Sequence, residues 1–227
     1  MLVDAHIHTS GISTCSRVSP EELAKVCHED QLDAIVLTNH CKSYYIDGTT
    51  YRDWCKKYVE EYQKTKEACA AFGIKVIFGL EVTPEYPGDS DFLYYGLTED
   101  AFLHSPQLFD LKQKELFEFA VANNALLYNA HPYRGGTVPQ DPNYLHGVEI
   151  NCHPLYGTNE RYRVTAFAKE HNLKLSCGSD FHGDTYKAHC GMIVPDTITD
   201  TVSFAEFLRQ PGQCELVIHD IGGEEKI

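Results

Sequence analysis

Short apolar segments alternate with amphipathic segments along most of this 227-residue chain, and this alternation constrains the fold more than any other feature. The apolar segments have the length and the β-branched and aromatic content of strands, and they cover residues 2–7, 34–38, 75–81, 92–97, 125–129, 147–151 and 174–177. Strands that alternate with helices form a mostly parallel sheet wound by crossover connections. The sequence therefore predicts an α/β fold with seven strands, either closed into a barrel or open.

Helices are predicted between several of these strands. Residues 19–22, Ser-Pro-Glu-Glu, combine an N-cap serine, a proline at the first helical position and early acidic residues, so a helix should begin there and end near Glu29. Residues 52–72 have the apolar spacing of a helix that stops at Gly73. Two further segments continue the pattern, residues 107–123 and 159–171.

Side chains that commonly bind metal ions follow the predicted strands. Five of them lie at or just past the C-terminal ends of different strands: His8, His40, Glu81, His131 and Asp180. In a parallel barrel the C-terminal strand ends meet at one mouth, where active sites are built. This placement favours a closed barrel over an open sheet, with the functional site at the C-terminal strand ends.

The local pattern around these residues indicates metal binding. His6 and His8 are two residues apart on the first predicted strand, so both imidazoles point to one side and can bind one ion. Glu81 ends an apolar run, where a buried carboxylate is costly unless it is paired or bound to metal. Taken alone, His40 or His131 is explained as well by a hydrogen-bonded core residue. The whole set predicts a metal centre, and mixed imidazole and carboxylate ligands suit zinc, iron or manganese.

Composition limits the classes of protein that the chain can form. With 43% hydrophobic residues and no linker-like stretch, we expect one domain over residues 1–227 with a mobile tail at residues 222–227. The formal net charge of −14 opposes tight binding to nucleic acid, which needs a cationic surface. No apolar run reaches the length of about 18 residues that a membrane span requires, so we expect no membrane association.

The cellular compartment is inferred from the N-terminus and the cysteines. Residues 1–6 lack the basic and apolar regions of a secretory signal. The nine cysteines form no CxxC pair, and a cytosolic chain of this size does not need disulfides to fold. We therefore expect a cytoplasmic protein whose cysteines are mostly reduced and buried.

The order of these motifs resembles a known family. The motifs are DxHxH at residues 4–8, TNH at 38–40, GxE at 79–81, AHP at 130–132 and GSDxH at 178–182. Together they are similar to the PHP family, the polymerase and histidinol phosphatase domains. The resemblance implies a distorted barrel of seven strands with a trinuclear metal centre that hydrolyses phosphomonoesters or phosphodiesters.

The resemblance also implies which residues bind the metals. Glu81 would bridge a first and a second ion, with His131 on the second ion, whereas His40 and His182 would bind a third. The implied ligands are His6, His8, His40, Glu81, His131, Asp180 and His182.

The loop at residues 9–19 departs from the family pattern. Members usually supply one more Asp or His there, but this loop contains no Asp, Glu or His. Cys15 is its only conventional soft ligand. Either the centre holds two tight metals and a weak third, which we favour, or Cys15 fills the vacancy as a thiolate. We make no ligand assignment around Asp91, near the fourth predicted strand.

The implied reaction is hydrolysis of a small phosphorylated substrate. Two metals about 3.5–4 Å apart can share a hydroxide, lower its pKa towards 7 and neutralise phosphoryl oxygens during in-line attack. His182 or His40, whichever is not committed to a metal, is the candidate general acid. Arg134 and Arg17 lie nearest the predicted mouth and are the candidate phosphate-binding residues.

Other residues and other functions stay open. Glu149 and His153 end the sixth predicted strand and are either metal-supporting, substrate-binding or core residues, and His189 is a weaker candidate for the site. A metal-dependent amidohydrolase also opens with HxH on a first barrel strand, and a non-catalytic PHP-like module would use metal for stability or partner binding. Histidinol phosphate, nucleotides, sugar phosphates and phosphotyrosine peptides are all possible substrates.

Overall fold

The structure, a computed structural model, describes residues 1–46, 48–86, 90–153, 158–183, 187–220 and 223–226, with only the backbone of residues 158–159, 219–220 and 223–226. Its strands are β1 Leu2–Ile7, β2 Ala34–Leu37, β3 His40–Cys41, β4 Lys75–Val82, β5 Phe92–Tyr95, β6 Leu126–Asn129, β7 Gly147–Asn151, β8 Lys174–Gly178, β9 Cys190–Ile193, β10 Glu215–Asp220 and β11 Gly223–Lys226. Its α-helices are α1 Pro20–Glu29, α2 Tyr51–Ala70, α3 Glu99–Leu103, α4 Gln113–Ala122, α5 Thr158–His171 and α6 Thr201–Arg209.

The seven predicted strands form a nearly closed barrel. They correspond to β1, β2 and β4 through β8, which are hydrogen-bonded neighbours in that order. The barrel closes between its first and last strands, where Ile7 pairs with Phe181 and the Asp180 N–H donates to the His6 carbonyl at 2.8 Å. The predicted barrel is therefore confirmed.

The direction of one barrel strand differs from the expectation of a parallel sheet. β5 pairs antiparallel with both β4 and β6. Only residues 83–91 link β4 to β5, whereas a parallel crossover needs about a dozen residues or more. The short link therefore reverses the chain, and the N-terminal end of β5 lies at the mouth of the barrel beside the C-terminal ends of its neighbours.

A glycine permits the closure of the barrel. A Cβ atom at Gly178 would lie 2.4 Å from the Cβ of His6 and 2.6 Å from its backbone nitrogen. Atoms other than hydrogen in non-bonded contact do not approach so closely, so a side chain at this position would push β8 away from β1. Glycine thus brings the metal-type residues after β8 next to those on β1.

Three strands beyond the predicted set extend the sheet. β9 pairs antiparallel with β1, β10 with β9, and β11 with β10. Within the tail, Gly223–Lys226 pairs with the open edge of β10, which offers backbone hydrogen-bonding groups to a further strand. Gly222 and Ile227 lie outside the described residues.

The helices largely match their predicted segments. Helix α1 starts after Ser19, which forms a capping box with Glu22. The segment predicted at 107–123 is a helix only from Gln113, since residues 108–110 form a separate 3-10 turn and Lys112 caps α4. No α-helix among the described residues is long and apolar enough to cross a membrane.

Helix α2 connects the core to the mouth of the barrel. Its Tyr58 is completely buried, and the hydroxyl lies 3.0 Å from the carbonyl oxygen of Asn39 and 2.8 Å from that of Gly79. These carbonyls precede His40 by one residue and Glu81 by two. Packing of α2 against the barrel therefore fixes the backbone that presents both side chains.

Candidate metal centre

Three groups of imidazole and carboxylate side chains overlap at the mouth of the barrel. Within each group the candidate ligand atoms lie within 4.8 Å of one another. The groups are His6–His8–Glu81, Glu81–Asp91–His131 and His8–His40–His182. Two groups share Glu81 and two share His8, so the arrangement suits neighbouring ions with common ligands rather than one isolated ion.

Strand geometry positions these side chains. His6 lies near the end of β1 and His8 directly follows the strand, so the two flank Ile7 and point into the barrel together. Glu81 lies near the end of β4, and His131 and Asp180 follow β6 and β8. The reversed β5 places Asp91, which precedes it, at the same mouth.

Glu81 lies at the centre of the histidines and is completely buried. Its Oε1 is 2.9 Å from Nε2 of His131, and its Oε2 is 2.5 Å from Nδ1 of His40. Oε2 is also 3.5 Å from Nε2 of both His6 and His8.

An observation on this carboxylate tests whether a metal fits. Oε2 of Glu81 and Nδ1 of His40 are buried and face each other at 2.5 Å, but not with the geometry of a hydrogen bond, and among the described residues neither atom has another hydrogen-bond partner. Buried polar atoms are almost always satisfied, so these two require a further partner. A divalent cation satisfies an unprotonated ring nitrogen and a carboxylate oxygen at once, and the donor set fits zinc, iron or manganese.

Asp180, which follows β8, places its carboxylate beside His6 and His8. Its Oδ1 lies 3.1 Å from Nε2 of His8 and 3.3 Å from Nε2 of His6, and these two nitrogens are 2.9 Å apart. Asp180 and His131 both adopt left-handed backbone conformations, with φ of +53° and +28°. Such residues outside glycine are uncommon and cluster at functional sites, where the surrounding structure holds them in place.

The charges of the centre shift the pKa values of its members. Burial raises the pKa of Glu81, but the positive charges of His40 and His6 outweigh it and hold that pKa well below its usual range. Burial lowers the pKa of His40, yet the Glu81 carboxylate raises it to about 9. Burial and the charges of His182 and His40 lower the pKa of His8, which leaves a neutral imidazole ready to bind metal. Protons on His6 and His40, whose pKa values are raised, balance the carboxylates in the metal-free protein, as cations would in the metal-bound one.

Glu149 is a supporting residue that sequence reasoning left undecided. It is completely buried on β7, and its Oε1 accepts a hydrogen bond from Nδ1 of His6 at 2.7 Å. Its Oε2 accepts from the backbone N–H of His131 at 2.8 Å. A carboxylate on one imidazole nitrogen fixes the tautomer and turns the other nitrogen towards the metal.

Comparison with known proteins identifies the family. The model of the PHP domain matches residues 4–188, which is most of the chain. The chain belongs to the PHP domain family. A comparison with curated protein sequences finds no match.

Solved structures share the fold of this PHP domain. A two-domain protein of Bacteroides vulgatus that contains a predicted PHP-like metal-dependent phosphoesterase is 19% identical, with a TM-score of 0.65; the match covers 96% of this chain but 65% of that protein. A metal-free, sulfate-bound amidohydrolase of Chromobacterium violaceum is 13% identical, with a TM-score of 0.58 and coverage of 92% and 97%. The lesion-specific endonuclease of Pyrococcus furiosus is 13% identical, with a TM-score of 0.58 and coverage of 94% and 58%.

Two further predicted residues of the PHP domain lie beside the centre. His182 Nε2 is 3.3 Å from Nε2 of His40, and its Nδ1 is 2.8 Å from the carbonyl oxygen of Asp180. Arg134 Nη1 donates to Oδ2 of Asp180 at 2.8 Å. Arg17 has an exposed side chain, and its backbone N–H donates to the carbonyl of His182 at 2.8 Å. The structure therefore brings His182 and Arg134 to the ligand groups and places Arg17 at their rim.

Cys15 lies next to the third group of ligands. Burial raises the pKa of its thiol, but hydrogen bonds with His182 and His40 lower it to about 5. Tyr45 also donates a hydrogen bond to the sulfur at 3.3 Å. Among the described residues, however, Cys15 belongs to none of the groups with all ligand atoms within 4.8 Å.

The structure does not bring His153 and His189 into these ligand groups. Within the described part of the chain, neither residue belongs to a group of three ligand atoms. The backbone N–H of His153 donates to Oδ1 of Asn151 at 3.0 Å. Nδ1 of His189 lies 3.0 Å from Oδ1 of Asp30, on helix α1's C-terminal side.

Asp91 is the residue that sequence reasoning did not assign. Its Oδ2 lies 3.5 Å from Nε2 of His131, and its Oδ1 lies 3.6 Å from Nζ of Lys42. A cavity of about 360 Å³ opens beside it, lined by Ser90, Asp91, Asn129, His131, Arg134 and Thr137. The centre is thus open to a small polar ligand on the side of β5 and β6.

Proposed function

We propose that this PHP domain is a metal-dependent hydrolase of phosphate esters that uses two or three divalent ions of manganese, iron or zinc. The observation that carries the proposal is the buried Oε2 of Glu81, which lies within 3.5 Å of three imidazole nitrogens without a hydrogen bond. The proposed metal ligands are His6, His8, His40, Glu81, His131, Asp180 and His182, joined by Asp91 from the geometry of its group with Glu81 and His131.

The bound ions would supply an activated water and charge neutralisation for the phosphoryl group. The side chains of the chain supply the remaining chemistry. His182 is partly exposed, and the carbonyl of Asp180 fixes its Nδ1, so its Nε2 is directed away from that carbonyl. Whichever of His182 and His40 is not bound to a metal would donate a proton to the leaving oxygen, and we favour His182 because His40 is buried and contacts Glu81.

Arg134 is the proposed phosphate-binding residue. Its guanidinium is partly exposed at the rim of the cavity and pairs with Asp180. A substrate phosphate would compete with Asp180 for the guanidinium of Arg134. This planar group can donate two parallel hydrogen bonds to two phosphate oxygens. Arg17, whose backbone N–H donates to the carbonyl of His182, is a second candidate. The cavity volume of about 360 Å³ supports a small phosphorylated substrate, and the net charge of −14 opposes nucleic acid.

Phosphate release tests the proposal directly. The metal-free protein is mixed in turn with manganese, iron and zinc and assayed on histidinol phosphate, nucleotides, sugar phosphates and phosphotyrosine peptides. We expect turnover of at least one ester, its loss with chelator and its return with metal, together with a higher melting temperature of the metal-loaded protein. His6→Ala should remove at least about 100-fold of this activity without changing the circular dichroism spectrum. The exposed His104→Ala is the matched control and should keep full activity.

The outcomes also separate the competing functions. Turnover of amides but of no ester would favour an amidohydrolase, the class of the Chromobacterium violaceum structure. Cleavage of lesion-containing DNA without phosphate release would favour an endonuclease like the Pyrococcus furiosus enzyme. Stoichiometric metal without turnover of any of these substrates would overturn a catalytic role and leave a metal-binding module.

A further inference from the structure

Three cysteines cluster on another side of the barrel wall. Cys152 follows β7, Cys177 lies in β8 and Cys190 begins β9. Their three sulfur atoms lie within 4.8 Å of one another, and the sulfurs of Cys152 and Cys177 are 3.6 Å apart. Each residue is at most 4% exposed.

This cluster is separate from the centre at the mouth. Ser176, the neighbour of Cys177, points into the barrel, where its hydroxyl lies 3.4 Å from that of Tyr95. Successive side chains of a strand point to opposite faces, so Cys177 points outwards. Its sulfur lies 3.9 Å from the carbonyl oxygen of Val217 on β10. The wall formed by β7 and β8 therefore stands between the thiols and the histidines.

The spacing of the sulfurs matches that of thiolates around one ion. Thiolates that bind zinc at about 2.3 Å are about 3.7–4.0 Å from one another. A disulfide requires about 2.05 Å between its sulfurs, and all three cysteines are free. Movement of a few tenths of an ångström would thus give Cys152 and Cys177 a metal-bound separation.

The surrounding charge favours a divalent ion. Hydrogen bonds with Cys177 and Cys190 lower the pKa of the Cys152 thiol, and the positive charge of Arg161, which is 7% exposed on α5, lowers it further. Three thiolates with a divalent cation carry one negative charge, whereas with a monovalent ion such as copper(I) they carry two. A larger buried charge costs more free energy, so the cluster favours the divalent ion.

We propose that Cys152, Cys177 and Cys190 form a thiolate site for Zn²⁺, distinct from the centre at the mouth. The ion would join β7 and β8 of the barrel to β9 of the sheet extension. Metal bound only to the folded state would stabilise this junction. The site does not rest on the proposed phosphate-ester activity.

Cobalt substitution tests the site in the full-length protein. The background carries Cys15→Ser, so that the exposed thiol beside His40 contributes no sulfur ligand. The metal-free, reduced protein is titrated with Co²⁺ alone, and sulfur-to-cobalt charge-transfer absorption is recorded. Histidine and carboxylate ligands at the mouth give no such band. We expect Co²⁺ to produce the band with the intensity of one sulfur-bound equivalent, in addition to the ions taken up at the mouth, and excess Zn²⁺ to remove it.

Single substitutions then assign the ligands. Cys152→Ala, Cys177→Ser and Cys190→Ala should each weaken or remove the band and lower the zinc content by one equivalent. Cys27→Ser alters a completely buried cysteine outside the cluster and should change neither value. The spectrum of the Cys15→Ser background decides the matter even if one of these further variants fails to fold. Absence of the band in the folded background protein, binding of copper(I) but not Zn²⁺, or a band that survives in all three variants would overturn the proposal.

Discussion

The carboxylate of Asp4 accepts two hydrogen bonds from Ser179, one from the backbone N–H at 2.9 Å and one from the hydroxyl at 2.5 Å. Ser179 directly precedes Asp180, and Asp4 also accepts from the His6 N–H at 3.2 Å. The buried Lys187 ammonium lies 2.9 Å from the same carboxylate. Asp4 therefore fixes the two chain segments that carry His6 and Asp180 relative to each other.

We predict that Asp4→Asn lowers the free energy of unfolding by about 2 kcal/mol, because the buried Lys187 ammonium loses one of its two carboxylates and keeps only that of Asp30 at 2.8 Å. Urea denaturation of the metal-free protein measures this change. Asp196→Asn, which breaks an exposed ion pair with the N-terminus, is the matched control and should have a much smaller effect. Equal effects of the two substitutions would show that Asp4 has no such structural role.

Glu149 should influence metal binding without touching a metal. Glu149→Gln keeps the shape of the side chain but removes the negative charge that His6 Nδ1 contacts at 2.7 Å. We expect metal affinity at the mouth to fall about 10–100-fold, the usual effect of losing a carboxylate behind a histidine ligand. Isothermal titration with Mn²⁺ gives the affinity, and the exposed Glu118→Gln serves as the control. Unchanged affinity would remove Glu149 from the supporting set.

Metal affinity should increase with pH because of His40. In the metal-free protein Glu81 raises the pKa of His40 to about 9, whereas an unfolded histidine has a pKa of about 6.5. The stabilising protonation is therefore present below pH 6.5 and is lost as the pH rises through about 9. Metal must displace this proton, so binding should strengthen over the same interval.

Two measurements check this prediction. Mn²⁺ affinity between pH 6.5 and pH 9 should rise in the wild type and rise less steeply in His40→Asn. The stability of the metal-free protein should fall over this interval, whereas the metal-loaded protein should not show the same loss. A wild-type affinity that does not change with pH would contradict the protonation of His40.

The loop at residues 9–19 contains no Asp, Glu or His, so the question is whether Cys15 binds a metal there. We predict that Cys15→Ser retains the two tightly bound metal equivalents of the mouth, because Cys15 lies outside the described groups of close ligand atoms. A thiolate would also donate strongly to the metal and weaken its Lewis acidity. Metal analysis of both proteins after dialysis checks the prediction. If the variant loses one equivalent and most of its activity, Cys15 is a ligand.

The barrel could be predicted from the sequence because its strands are continuous apolar runs with metal-type residues at their ends. The direction of β5 could not, since apolar content is the same for a strand of either direction. The nine residues between Val82 and Phe92 were the available signal, because they are too few for a crossover. A link of this length predicts an antiparallel β5, and an antiparallel β5 places Asp91, which precedes it, at the mouth.

Glu149 illustrates a different limit. The alternation on β7 shows that Glu149 and Asn151 share one face, but not whether that face lies inside the barrel. Only the register with β8, where Glu149 pairs with Ser176, places it inside. Similarly, no sequence spacing relates Cys152 to Cys190, because they meet only after β9 folds back along β1.

The barrel closes at a single seam between β1 and β8, where Gly178 allows the two strands to approach. His6 and His8 lie on one side of the seam between β1 and β8, and Asp180 lies on the other. Any cation held by all three spans the seam. Local opening of the metal-free domain should therefore begin there, and each ion that binds raises the free energy of that opening.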